Sequence, residues 1–376
     1  MTEQINLFVL LVCCYNTNML HTPFYDPEKS YEENFTEGPF GAFTDGKVFK
    51  DEGEPKYDFL GVKVNSPFGI AAGPLVNSKF IEASFEKGFD LCVYKTVRSG
   101  VYPAHPYPNV VSVKVDGDLT YEKAQGEVEM QAGFDQPLTI TNSFGVPSRT
   151  PEFWQEDCDR AVGYAGIGQT VILSFMGTAR EHQTRDEFIA DHTLVARLAK
   201  QTRAKVFEMN LSCPNVGNEG LICYDLDMTE ALSQAVKAEL GQSPLILKVG
   251  YFKNDADLER LAEIANKYAE GIAVINTIQT KIVDDKGGQA LPGGPDRLRS
   301  GVAGASIKWA GLEMTKKLKQ IREKLGFNYK IIGVGGVMTP DDFFEYRVAG
   351  ADFVMSVTGA MWNPYLAQEI KERLAQ

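Results

Sequence analysis

From Asp58 onward the chain alternates short apolar, β-branched runs with longer amphipathic stretches. This constrains the fold more than anything else in the sequence. A strand that is followed by a helix returns beside the first as a parallel neighbour, so repeated β–α units build a parallel sheet. The predicted strands cover residues 68–71, 91–95, 170–174, 206–210, 245–248, 272–276, 330–334 and 353–357. Predicted helices between them include 185–201, 229–240, 255–268, 306–324 and 340–349. Eight such units match a (β/α)8 TIM barrel. The rival is a doubly wound sheet, whose dinucleotide form carries G-x-G-x-x-G after the first strand. Here that turn reads Ala71-Ala72-Gly73-Pro74. The barrel is expected to span residues 59–376, with an insertion after the second strand over 101–137. Residues 1–58 form an N-terminal arm. Its acidic, aromatic part, 26–58, has no helical or strand periodicity and is expected to lay its aromatics on the main body.

Polar and small residues gather where the predicted strands end. These ends carry Ala72-Gly73, Lys95-Thr96, Asn210, Lys248, Asn276-Thr277, Gly335-Gly336 and Thr358-Gly359. Barrel active sites form at the C-terminal strand ends, commonly with a phosphate site after the last two strands. Glycines there let a phosphate approach backbone N–H groups, although a glycine pair is also an ordinary tight turn. The segment 300–305 is predicted to open another helix and to add donors from its N-terminus. Lys95 and Lys248 could stabilise an anionic cofactor or hold a carboxylate; their plainer reading is solvated surface. Asn142, Asn210, Asn215 and Asn276 offer paired donors and acceptors that suit a pyrimidine edge, or merely cap turns. Cys213, in the loop after the fourth strand, could act as a base once nearby positive charge favours its thiolate. Its plainer reading is an inert thiol.

Several functions are excluded or weakened. With 38 Lys and Arg against 50 Asp and Glu, the net charge is −12, unsuited to a nucleic-acid binder. No C-x-x-C pair occurs, and the four histidines sit away from strand ends, so no metal site is expected. The longest early apolar run, from Leu7 to Cys14, is too short for a bilayer, which needs about 20 residues. A cytoplasmic protein without stable membrane insertion is expected.

Two segments together carry a specific resemblance. Met209-Asn210-Leu211-Ser212-Cys213-Pro214-Asn215-Val216 resembles the catalytic loop of the dihydroorotate dehydrogenase family in its class 1, cysteine-base form. Ile140-Thr141-Asn142-Ser143-Phe144-Gly145-Val146-Pro147 resembles that family's substrate-edge loop. Leu247-Lys248, Ile275-Asn276-Thr277, Gly304-Ala305-Ser306-Ile307-Lys308 and Gly333-Val334-Gly335-Gly336-Val337 follow in the family's order.

The resemblance implies an FMN enzyme that oxidises dihydroorotate to orotate in pyrimidine biosynthesis. By resemblance, Cys213 is the base, and hydride passes to flavin N5. Lys95 would lie where substrate meets flavin. Asn142, Asn210, Asn215, Asn276 and Thr277 would bind the substrate ring, and Phe144, Gly145 and Val146 its carboxylate. Ala72, Gly73, Lys95, Thr96, Lys248, Gly304, Gly335, Gly336, Thr358 and Gly359 would contact FMN. The family also implies a homodimer. The electron acceptor is left open, and NAD would require a partner subunit. The segment Val216-Gly217-Asn218-Glu219-Gly220-Leu221-Ile222-Cys223 is similar in part to the lid of dihydropyrimidine dehydrogenases. A dihydrouracil-type substrate is therefore the alternative, and a non-catalytic flavin-binding barrel is the alternative of a different class. The family's quinone-linked branch uses serine as base, unlike the cysteine here.

Overall fold

The structure is a computed structural model that describes residues 20–212 and 221–376. Eight strands close into a parallel barrel in chain order. They are β1 (Phe68–Ile70), β2 (Leu91–Val97), β3 (Thr170–Phe175), β4 (Val206–Asn210), β5 (Leu245–Val249), β6 (Gly271–Val274), β7 (Lys330–Val334) and β8 (Phe353–Ser356). Each predicted strand is present, with ends displaced by at most two residues. The helices Asp255–Tyr268 and Pro340–Ala349 fall where predicted. The helix Leu226–Leu240 starts earlier than expected because the Asp225 side chain caps it, accepting from the Met228 N–H at 2.9 Å.

Period-two alternation sorts the strand residues into two cores. Outward residues such as Phe207, Met209, Leu245 and Leu247 pack under the helices. Inward residues, among them Leu91, Val93, Ile172, Val206, Ile246, Ile332 and Phe353, fill the barrel. A hairpin of Tyr57–Phe59 and Val62–Val64 closes the N-terminal end of the barrel. It turns through Leu60 and Gly61, both at positive φ. This inserts Phe59 into the floor, where its ring meets that of Phe353 at 4.7 Å.

The opposite end carries a second closed sheet that the sequence did not announce. Val110–Val113, Glu127–Gln131 and Thr139–Asn142 come from the segment after β2. Ile278–Val283 and Arg299–Gly304 come from the segment after β6. The strand Arg299–Gly304 pairs antiparallel with both Thr139–Asn142 and Ile278–Val283, joining the two insertions. This corrects the expectation for 300–305. That stretch is mainly strand, because its backbone groups are taken up by two neighbours; the helix Lys308–Leu325 begins only after a 3-10 turn at Ala305–Ile307.

The arm also differs from expectation, since Tyr31–Glu37 is helical. A capping box at its start explains this: Ser30 and Glu33 bond each other's backbone N–H groups. The signal is local capping rather than periodicity. Phe24, Tyr25, Tyr31 and Phe43 are buried, and the Phe24 N–H donates to the Met361 carbonyl at 3.1 Å, beside the last barrel strand. Among the described residues no helix is long and apolar enough to cross a membrane.

Candidate active site

The inward rows turn polar as the strands approach their C-terminal ends. On β2 the row Leu91, Val93 continues to Lys95; on β4 Val206 leads to Glu208 and Asn210; on β5 Ile246 leads to Lys248. Lys95, Glu208, Asn210 and Lys248 are all buried, so three ionisable groups and one amide sit as a polar layer on an apolar plug. Burial pushes the Glu208 carboxyl above its usual range, opposed by Lys248 and by a hydrogen bond from Ser174. Burial pulls Lys248 below its usual value, opposed by Glu208. One Glu208 oxygen, Oε1, has no hydrogen-bond partner among the described residues. The register of β2 on β3 shifts between Tyr94 and Val97, and there the hydroxyls of Thr96 and Ser174 lie 3.0 Å apart. Such irregularities re-aim side chains at barrel rims.

Above this layer lies a cleft of about 690 Å³ of empty space. Its walls include Ala72, Gly73, Asn142, Phe144, Lys248, Asn276, Thr277, Gly304, Gly335, Gly336 and Thr358. The hydroxyls of Thr277 and Thr358 are buried without partners among the described residues. Gly335 and Gly336 have φ of 118° and 67°, and their N–H groups have no acceptor among the described residues outside regular strand pairing. A Cβ on Gly336 would lie 2.5 Å from the Lys308 Cβ, so only glycine lets the backbone turn there. At Gly73 the nearest atom to an added Cβ is Val357 Cγ1 at 3.9 Å, leaving open space on the cleft side. Glycine turns with unspent donors, two orphaned hydroxyls and two buried lysines fit an anionic, flat cofactor such as FMN.

The loop 143–147 forms one rim of the cleft and is held by groups the sequence reading missed. Arg98, fully buried just past β2, donates from Nε to the Val146 carbonyl at 2.9 Å and from a terminal nitrogen to the Gly145 carbonyl at 3.4 Å. Arg297 donates to Ser143 Oγ at 3.1 Å and to the carbonyls of Pro106 and Pro108, each at 3.0 Å. His105 Nδ1 lies 3.2 Å from the same Ser143 hydroxyl. The Phe144 ring is packed edge-on by Tyr25 and Tyr31 of the arm, at 5.3 and 5.9 Å. An arginine just past a strand end, like Arg98, or in a turn between strands, like Arg297, reads in sequence as solvated surface, so no local signal marks either. Glu208 did leave a trace: a lone acid inside an otherwise apolar, doubly buried strand.

The remaining expected residues divide as follows. Lys95 and Asn210 belong to the polar layer; Thr96 bonds Ser174 beside it. Asn210 and Asn276 converge on Ser212: Asn210 Oδ1 accepts from the Ser212 N–H at 3.1 Å, and Asn276 Nδ2 donates to the Ser212 carbonyl. Part of their capacity therefore ties β4 to the segment after β6. Gly145 and Val146 lie in the rim loop, and Gly359 packs against the Val337 carbonyl behind the glycine turn. Cys213 and Asn215 lie outside the described residues. The described thiols Cys92, Cys158 and Cys223 are free and buried, with burial pushing Cys158 and Cys223 up to about 12.

Below the rim, the His192 ring is buried against the backbone of Gly177, whose carbonyl also accepts from Arg98. Burial pulls its pKa down to about 4. The ring is neutral in the folded protein but protonates near 6.5 once unfolded. Its contribution to stability is fully present above that value and is lost as pH falls towards 4, roughly 3 kcal/mol in all. Urea titrations between pH 7 and 4.5 should show this fall, and a His192→Met variant should show less of it.

A parallel barrel with charged residues at its C-terminal mouth, a glycine turn after its seventh strand and a short helix, Thr358–Trp362, after its eighth has the TIM-barrel architecture, in which active sites form at that face. The dihydroorotate dehydrogenase family model matches residues 56–376. The chain is 38% identical over 362 residues to a dihydroorotate dehydrogenase of Dictyostelium discoideum, covering 93% of this chain and 97% of that protein. It is 26% identical to the quinone-type enzyme of Streptomyces coelicolor, over 86% and 82% of the two chains. It is also 26% identical to the catalytic subunit of the NAD(+)-type enzyme of Brachyspira hyodysenteriae, over 63% and 72%. The DHODH of Eimeria tenella, solved with ferulenol, shares the fold with a TM-score of 0.66 at 17% identity, over 88% of this chain and 87% of that one. The chain belongs to the dihydroorotate dehydrogenase family. It is an oxidoreductase acting on CH–CH donors, in a family of flavoproteins.

Proposed function

We propose that this protein oxidises dihydroorotate to orotate with FMN as its cofactor, in the manner of the cysteine-base class. The observation that carries the reading is the cleft lined by the buried Lys248, by glycine turns and by two orphaned threonine hydroxyls, with Lys95 buried in the polar layer, in an otherwise acidic protein. An anionic cofactor and an anionic substrate both need such a local positive field. FMN, when bound, would supply the two-electron acceptor for the hydride that leaves C6 of the substrate. Gly335, Gly336, Thr358 and Gly359 would hold its phosphate, with Gly304 beside them. Ala72, Gly73 and Thr96 would line its ring, and Lys248 would offset its negative charge.

The protein's own groups do the rest. Cys213 takes the C5 proton as thiolate. Lys95 faces the junction of substrate and cofactor. Asn142, Asn210, Asn215, Asn276 and Thr277 hydrogen-bond the ring, which rejects rings lacking the matching groups. Phe144, Gly145 and Val146 offer backbone donors to the carboxylate. By resemblance the loop from Pro214 to about Tyr224, whose residues 214–220 lie outside the described residues, would act as a lid that excludes water during transfer. We further propose a cytoplasmic homodimer.

The purified protein should be yellow, and anaerobic dihydroorotate should bleach its flavin band. A band that stays oxidised with dihydroorotate but bleaches with dihydrouracil would transfer the assignment to the other dihydropyrimidine. A protein that is colourless and cannot take up FMN would reject the enzyme reading. Reoxidation with fumarate, a quinone or NAD(+) plus a partner subunit then reads the acceptor, for which the relatives differ.

A further inference from the structure

The loop 144–146 is asymmetric in how its backbone is used. Its three carbonyls are taken: Phe144 O accepts from the His105 N–H at 3.0 Å, Gly145 O and Val146 O from Arg98. Its three N–H groups have no acceptor among the described residues. Gly145 and Val146 also sit at φ of 79° and 52°. Glycine adopts that region freely, but a β-branched residue there is an outlier that the surroundings must impose. Successive N–H groups around left-handed residues form a concave anion site. Val146 is itself buried, so the strain is not relieved towards solvent.

We propose that Arg98 is the positioning residue for carboxylate recognition. By binding the Gly145 and Val146 carbonyls it holds Val146 in its left-handed conformation and leaves the loop's N–H groups for an anion. The clamp is stiff at both ends. Arg98 also donates to the Gly177 carbonyl at 3.1 Å and to Thr178 Oγ1 at 3.2 Å, and its guanidinium stacks 4.1 Å from the Tyr102 ring centroid. Its own N–H and carbonyl bond Ser148 Oγ and the Trp154 indole. Because Arg98 follows Lys95 by three residues on the same strand end, one short segment sets both the polar layer and the rim. Arg98 does not touch the substrate; it acts through Val146. The inference rests on the proposed role of this loop in binding the substrate carboxylate.

The test is the binding of orotate, read as a shift of the flavin absorbance band, with turnover measured in parallel. Arg98→Met should weaken orotate binding and raise KM for dihydroorotate by at least about tenfold, the loss expected for charged hydrogen bonds. Flavin content and kcat at saturation should stay within about threefold of the unaltered enzyme, because binding of the carboxylate is lost equally in the ground and transition states. Val146→Gly removes the strain that Arg98 opposes, so in that background the Arg98→Met change should cost much less, a coupling a merely structural residue would not show. Should Arg98→Met fail to fold, Arg98→Lys should show an intermediate loss in orotate binding. Unchanged orotate affinity in either variant, or a loss equal in both backgrounds, overturns the proposal. If the unaltered protein neither binds orotate nor is bleached by dihydroorotate, the functional reading itself has failed and the role of Arg98 falls with it.

Discussion

Replacing Cys213 by alanine should abolish reduction of the flavin by dihydroorotate at neutral pH while FMN stays bound. General-base catalysis contributes about 10²–10⁴-fold, so the rate of reduction should drop by a factor in that range. None of the described cysteines is poised to replace it: all three are buried, and Cys223, the nearest in sequence, is pushed up to about 12. Cys213→Ser gives the sharper result. A free thiol titrates near 8.5, and positive charge lowers that value, whereas a hydroxyl is a far weaker acid. Activity in the serine variant should therefore persist at a low level and rise with pH. Single-turnover bleaching across pH 6 to 10 measures both variants, and unchanged turnover in Cys213→Ala would remove this residue from the mechanism.

The second large effect concerns Gly73. A Gly73→Leu variant should purify colourless and remain folded. The glycine lies at the cleft wall with nothing nearer to an added Cβ than Val357 Cγ1 at 3.9 Å, so a side chain would project into the space assigned to the cofactor. Its φ of 151° adds strain of order 1–3 kcal/mol for a residue other than glycine. That is small beside the loss of a binding site but enough to lower the melting temperature by a few degrees. Gly336→Leu provides the contrast. There the Lys308 Cβ and backbone crowd the position, so both flavin uptake and stability should fall. Flavin absorbance per protein and thermal melting separate the two outcomes. Full flavin occupancy in Gly73→Leu would mean that the cofactor does not lie against this wall.

The barrel was legible because its evidence is local. A strand buried on both faces reads as a continuous β-branched run, and a helix as a 3.6-residue period, wherever the partner strands lie. The second sheet was not. Its strands are four to six residues long and come from two segments far apart in the chain, and they exist because Arg299–Gly304 finds neighbours on either side. The helix Tyr31–Glu37 was missed for the opposite reason. Its cause is local, but it lies in a capping box rather than in a hydrophobic period.

The site divides along the same line. Lysines, asparagines and glycines at strand ends could be located from the sequence, because strand ends themselves could be located. That Asn210 and Asn276 meet at Ser212, that Glu208 shares a polar layer with Lys248, and that Arg98 grips Val146 are facts about which ends face each other. By itself the sequence determined the parallel barrel and the residue types at its mouth, because both follow from backbone periodicity within single segments. Only the tertiary structure decided how that chemistry is aimed. Closing the barrel brings eight ends into one ring, and a buried arginine or glutamate acquires its role only from the partners that remove it from water.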